Sequence, residues 1–272
     1  MGVARCYFFS TSLQYSTTLT VTLPDPRKWF SDKELETGRV RFPVLYVLHG
    51  GGEDSTVWLR KTHIEEYCND LGIISVSIDA MHSCYADMIH GGKYFTYLTK
   101  ELPDFVEKIF PASSCREDRF IAGFSMGGQG TLKAVFRCPE RYAAGMPLSG
   151  ARDIVSLFEK WATMENGPDM TGAINAVGPI EQARNSVNDL VWLAKEAAAY
   201  KDKLPKLFVA CATDDYAAPL SHEYHRLLES LGIEHEYYVD EGIHDFYFGD
   251  KALHKALYEW LPLRKPMLEK EE

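Results

Sequence analysis

The stretch RFIAGFSMGGQGTLKAVF, residues 119–136, sets a single hydroxyl among glycines where the apolar pattern changes period. Up to Phe124 it reads as a buried strand, and from Gly127 onward its apolar residues take helical spacing. Gly123-Phe124-Ser125-Met126-Gly127 is therefore a G-x-S-x-G sequence between a strand and a helix. In that context small residues two before and two after the serine let strand and helix approach closely. The serine then sits on a tight, strained turn with its Oγ projecting over the sheet edge. A plain strand-to-helix turn needs no cluster of glycines, so Gly123, Gly127 and Gly128 point to chemistry at Ser125.

A serine hydroxyl is a weak nucleophile and needs a base, normally a histidine oriented by a carboxylate. On a strand–turn–helix nucleophile the chain order is Ser, acid, His. Five histidines follow Ser125: His222, His225, His235, His244 and His254. His222 and His225 stand three apart on a predicted helix, are expected on its solvated face, and lack a third ligand at metal-site spacing. His235 begins a predicted strand and His254 lies in the terminal helix. Only His244, in DEGIHDF, lies in a loop directly after a strand and before the last helix, where a base could reach the sheet edge. The acid is expected after the preceding strand, KLFVACATDDY, which offers Asp214 and Asp215. Adjacent side chains point in different directions, so only one can orient the imidazole, and spacing leaves both open.

Attack on an ester carbonyl places negative charge on oxygen, and losing one backbone N–H that receives it typically costs about a hundred- to thousand-fold in turnover. Met126, next after the serine, is in position to supply one donor. His49-Gly50-Gly51-Gly52, at the end of an earlier apolar run, is expected to supply the other, with Gly51 the first choice and His49 a structural tie. The same glycines do not read as a phosphate cradle, because G-x-G-x-x-G and a lysine in P-loop register are missing.

These residues need a frame. ARCYFFST and LTVTLPDP read as an opening antiparallel pair; FPVLYVLHGGGED, IISVSIDA, RFIAGFS, AAGMPLSG, KLFVACATDD and HEYYVDEG read as further strands. Helical patterns alternate with them, beginning with a helix capped at Ser55 and stopped by Gly72. The alternation predicts an α/β fold, with a mostly parallel sheet and helices on both faces, as one domain over 1–272. A segment over about 151–203 exceeds an ordinary connection and is expected as a cap insertion overhanging the sheet edge.

Composition narrows the partners. A net charge of −10 argues against nucleic acid or an anionic membrane, and no run of eighteen apolar residues predicts a membrane span. MGVARCYFFSTSLQYS lacks a signal-peptide pattern, and the six cysteines show no C-x-x-C spacing, with Cys211 reading as core. A reduced, cytoplasmic setting is the expectation.

With these pieces placed, the chain resembles an α/β-hydrolase of the esterase-D-like group, which includes tributyrin-type carboxylesterases, S-formylglutathione hydrolases and feruloyl or acetylxylan esterases. The resemblance lies in PVLYVLHGGGEDSTVWLRKTHIE, YFTYLTKELPDFV, RFIAGFSMGGQG, CATDDY and GIHDFYFGDKALHKALYEWLP, which together span nearly the whole chain. It implies an α/β-hydrolase fold, Ser125 as nucleophile, His244 as base and Asp215, just before Tyr216, as the acid, with Asp214 as fallback. It also implies independence of metals and cofactors, a small-molecule ester substrate and a homo-oligomer. The triple glycine departs from the leucine usual in the oxyanion loop of S-formylglutathione hydrolases. The expected reaction is hydrolysis of short-chain acyl or aromatic (acetyl, hydroxycinnamoyl) esters through an acyl-enzyme. The alternatives are an S-formylglutathione thioesterase, a serine peptidase and a non-catalytic hydrolase-like binding protein. Trp58, Tyr94, Phe95, Trp161, Met164, Tyr216 and Phe246 are the candidate pocket residues, about half of them expected in the core.

Overall fold

The period-two runs at the amino terminus form the hairpin the pattern predicts. In a computed structural model, which describes residues 1–269, β1 (Gly2–Ser10) pairs antiparallel with β2 (Tyr15–Leu23). The charged connection holds one helical turn, α1 (Asp32–Leu35), started by a capping box between Ser31 and Glu34, and the short strand β3 (Val40–Arg41). β4 (Val44–Leu48) is buried throughout. Its Val44, Tyr46 and Leu48 enter one core while Leu45 and Val47 enter the other, so a continuous apolar run still obeys the two-residue period.

The single helix predicted from Ser55 to Gly72 is two, α2 (Val57–Lys61) and α3 (Ile64–Leu71). Ser55 does not cap it. Instead its N–H donates to the Asp79 carboxylate at 2.6 Å, tying the loop after β4 to the loop after β5 (Ile74–Ile78). Gly72 does end α3, in the left-handed conformation at φ 64°. Then come α4 (Tyr94–Thr96), a wider π-type turn over Tyr97–Glu101 and α5 (Leu102–Ile109). β6 (Arg119–Phe124) runs straight into α6 (Met126–Arg137), followed by β7 (Ala144–Leu148).

The segment after β7 contains α7 (Ile154–Ala162), α8 (Thr171–Val177), α9 (Ile180–Ala183) and α10 (Leu190–Ala197). It divides in two. Leu190 and Leu193 of α10 belong to the buried core that contains the apolar side chains of α6, so this helix is part of the layer flanking the sheet. The earlier part meets the loop after β5, where the N–H groups of Ile89 and His90 donate to the carbonyls of Ala176 and Asn175. Of the segment 151–203 expected to overhang the sheet edge, α10 packs beside α6. β8 (Lys206–Ala212), α11 (Ala218–Ser230), β9 (Glu236–Asp240) and α12 (Phe246–Lys255) complete the alternation. β10 (Met267–Leu268) pairs with β3 in a two-stranded sheet that no apolar pattern announces. Residues 270–272 of the predicted domain lie outside the described residues.

The main sheet has the order β1-β2-β5-β4-β6-β7-β8-β9, parallel from β5 to β9, with β2 antiparallel to β5. From β4 the chain first steps outward to β5 and then crosses back to β6 on the other side. In open α/β sheets such a switch point leaves a crevice outside the carboxyl ends of the strands. Here Leu48 is in register with Gly123, so the loops carrying His49 and Ser125 leave the sheet side by side.

That proximity depends on missing side chains. A Cβ on Gly123 would collide with the backbone of Gly127, and one on Gly127 would collide with the Leu48 carbonyl. A Cβ on Gly128 would come within 2.8 Å of Gly150 Cα. By contrast, a Cβ on Gly51 would meet nothing nearer than His82 Nδ1 at 4.0 Å. Gly127→Ala is therefore expected to lower Tm by about 5–10 °C through overpacking, and Gly51→Ala to move it by less than about 2 °C. Thermal denaturation followed by circular dichroism checks this; equal shifts in the two variants contradict the packing account.

Candidate active site

Ser125 occupies the turn between β6 and α6 at φ 55°, ψ −114°, a left-handed conformation costly for a residue with a side chain. The turn is held on both sides. The Ser125 N–H donates to the Leu148 carbonyl at 2.9 Å, and its own carbonyl accepts from the N–H groups of Gly128 and Gln129 at 3.0 and 3.2 Å. The hydroxyl stays accessible in a half-buried position.

Ser125 Oγ lies 2.8 Å from His244 Nε2, and His244 Nδ1 lies 2.7 Å from Asp215 Oδ2. His244 comes from the loop after β9, and Asp215 from the loop after β8. Asp215 is only 4% exposed. Burial pushes its carboxyl upward, but the hydrogen bond and charge of His244, with the Ala217 N–H at 2.8 Å on Oδ1, outweigh it and hold the carboxyl below its ordinary range. Of the two aspartates that spacing left open, Asp215 is the one that meets the imidazole. Asp214 is exposed and accepts from the neighbouring Thr213 hydroxyl, away from the imidazole.

His49 is fully buried and ties the facing loop down, as expected of it. Its Nε2 accepts the Ala80 N–H at 2.9 Å and its Nδ1–H donates to the Gly50 carbonyl at 2.6 Å, while the Tyr85 hydroxyl donates to the His49 carbonyl at 3.0 Å. Burial lowers its pKa and favours the neutral ring, which this one-donor, one-acceptor arrangement uses. Gly50 faces the nucleophile, since a Cβ there would stand 3.4 Å from Ser125 Cβ; Gly51 follows it, exposed. Met126, buried at the first position of α6, lies across from this loop.

The predicted pocket aromatics divide. The Tyr216 ring, 56% exposed, lies 4.7 Å from the His244 ring. Phe246 is buried behind Phe124, which itself contacts His244 at 4.9 Å. Trp58 stacks edge-on behind Phe246 at 5.2 Å and is core, not cleft. Tyr94 is also core, its hydroxyl bonded to that of Tyr15, and Phe95 lies beneath the Arg137 guanidinium. Trp161 packs on Phe158 in the segment after β7, where Met164 is exposed. His222 and His225 are not on a solvated face either: both are half-buried against β9, where His222 Nδ1 meets the Tyr237 hydroxyl at 2.7 Å and His225 stacks on that ring at 4.0 Å.

One residue at the cleft carries no motif signal. His82, exposed in the loop after β5, lies between the Gly51 backbone and Gly172 of α8. Its loop holds Met81, Cys84 and Tyr85 at φ 48°, 51° and 51°. Only its position at a strand's carboxyl end could have singled His82 out.

The comparisons with known proteins agree with this architecture. The family profile described as a putative esterase matches residues 10–247. An acetyl esterase of Caldicellulosiruptor saccharolyticus is 27% identical over 265 residues, covering 96% of this chain and 98% of that protein. Among solved structures, a fluorophosphonate-binding serine hydrolase of Staphylococcus aureus superposes with a TM-score of 0.86 at 27% identity, covering 96% of this chain and 99% of the other. An S-formylglutathione hydrolase of the same organism gives 0.83 at 28%, covering 96% and 98%. Among the described residues no helix is long and apolar enough to cross a membrane. The chain belongs to the esterase family so matched, and is a serine esterase with an α/β-hydrolase fold.

Proposed function

We propose that this esterase hydrolyses small carboxylic esters with short-chain or aromatic acyl groups, using Ser125, His244 and Asp215 as a catalytic triad. The observation that carries the reading is the unbroken line Ser125 Oγ–His244–Asp215, with contacts of 2.8 and 2.7 Å, ending on an ionised buried carboxylate. His244 Nε2 takes the hydroxyl proton as Ser125 Oγ attacks the carbonyl carbon. Asp215 holds the ring by Nδ1–H and stabilises the imidazolium that results. The N–H groups of Gly51 and Met126 receive the oxyanion. The imidazolium returns its proton to the departing alcohol, leaving an acyl-serine, and water repeats the sequence in the second half. Tyr216, exposed beside the base, offers the acyl group an aromatic face, and the buried Phe124 backs the His244 ring.

A thioesterase acting on S-formylglutathione is the second reading, favoured by the 28% identity with the S-formylglutathione hydrolase. Both readings use the same acyl-serine and differ only in the leaving group. We take the chain as one catalytic domain, because every strand from β1 to β9 except β3 enters one sheet.

Ser125→Ala is expected to lower kcat on p-nitrophenyl acetate and butyrate by on the order of 10⁴-fold or more. If wild type and Ser125→Ala hydrolyse both esters equally slowly, the esterase mechanism is wrong. Asp215→Asn is expected to lower kcat by on the order of 10³–10⁴-fold, while Asp214→Asn stays within about twofold of wild type. Steady-state kinetics on the pair decides, and the reverse ranking contradicts the assignment. S-Formylglutathione assayed beside the oxygen esters separates the two leaving-group readings.

A further inference from the structure

We propose that Arg152 is a positioning residue of the triad: its buried guanidinium pins the Tyr216 ring against His244 and so fixes the imidazole for proton transfer. This deepens the ester-hydrolase reading and rests on its triad. Arg152 lies in the turn after β7 and is only 2% exposed. A guanidinium so deep is costly unless a carboxylate faces it. Asp153, next in the chain, pairs with Arg184 instead, and among the described residues no carboxylate forms an ion pair with Arg152. Its buried Nε also lacks a hydrogen-bond partner there. An apolar side chain would fill the same space at lower cost, so packing does not account for the charge.

What the guanidinium does touch belongs to the site. Its Nη1 donates to the Ser149 carbonyl at 2.6 Å and closes the turn, in which Ser149 is left-handed at φ 49°. That turn adjoins the nucleophile, since a Cβ on Gly150 would stand 2.4 Å from the Ser125 carbonyl oxygen. On the other side, Arg152 Cζ lies 5.7 Å from the centre of the Tyr216 ring, within cation–π range. One side chain thus bridges the loop after β7 and the loop after β8, which carries Asp215.

Tyr216 needs such a hold. His244 has two aromatic neighbours, Phe124 at 4.9 Å and Tyr216 at 4.7 Å. Phe124 is buried and held by the core around it, whereas Tyr216 is exposed and packing alone does not fix it. A cation beside its ring supplies the attraction that packing does not, and a desolvated guanidinium supplies more of it than a hydrated one. With the ring held, the imidazole has less room to turn, and Nε2 stays in line with Ser125 Oγ at 2.8 Å. Proton transfer depends on that alignment and binding of the ester does not, so the effect belongs in kcat.

The test is a double-mutant cycle on p-nitrophenyl butyrate with Arg152→Met, Tyr216→Leu and the two combined, each variant checked for folding by circular dichroism. Arg152→Met is expected to lower kcat about five- to tenfold with KM within about twofold of wild type. In the Tyr216→Leu background the same substitution is expected to cost less than about twofold, because the ring it acts through is gone. Arg152→Lys, which keeps a cation beside the ring, is expected to stay within about threefold of wild-type kcat. An equal loss in both Tyr216 backgrounds, a loss carried by KM, no loss at all, or Arg152→Lys as impaired as Arg152→Met overturns the proposal. If Arg152→Met does not fold, Arg152→Gln takes its place in the cycle, since it removes the charge and keeps an N–H donor. Failure of both to fold makes Arg152 a structural residue and overturns the proposal as well. Wild type inactive on the ester, or His244→Ala as active as wild type, overturns the triad reading itself.

Discussion

The close approach of three backbones around Ser125 is the constraint on which the rest depends. β6 must turn into α6 within one residue, and the start of α6 must press against the carbonyl of Leu48. Only side-chain-free positions at Gly123, Gly127 and Gly128 permit this. The left-handed serine is the consequence, because a strand and helix so close leave the connecting residue no relaxed conformation. The hydrogen bonds of its N–H and carbonyl, to β7 and to α6, hold it there. A hydroxyl fixed in this way meets His244 without any side-chain search, so the entropy of alignment is spent in folding.

The electrostatics follow from the same placement. Asp215 is deep enough to lose water, yet its carboxyl stays below the ordinary range because His244 and a backbone N–H replace that water. His49, equally deep, goes the other way and is held neutral, since its partners are one carbonyl and one N–H. Burial thus leaves one group charged and the other uncharged according to the partners supplied. The first orients a base; the second shapes a loop.

Much of this was legible in the residues. Ser125 and His244 are marked by position relative to strands, a signal that survives without tertiary information. Asp215 was not separable from Asp214 by spacing, because the turn after β8 decides which carboxylate faces inward. The break between α2 and α3 was hidden because VWLRKTHIEEYC keeps helical spacing across Thr62 and His63. Trp58 and Tyr94 read equally well as pocket or core, and the structure buries both. His222 and His225 looked solvated because a helix alone does not reveal that β9 covers them.

The central claim is that Ser125 Oγ becomes acylated. Intact-mass spectrometry of enzyme acid-quenched within milliseconds of mixing with p-nitrophenyl butyrate, followed by peptide mapping, tests it most directly. The account predicts one butyryl group per chain, located on the peptide containing Ser125 and absent from Ser125→Ala. A butyryl group on another residue, or turnover with no acyl adduct trapped at any quench time, would contradict it.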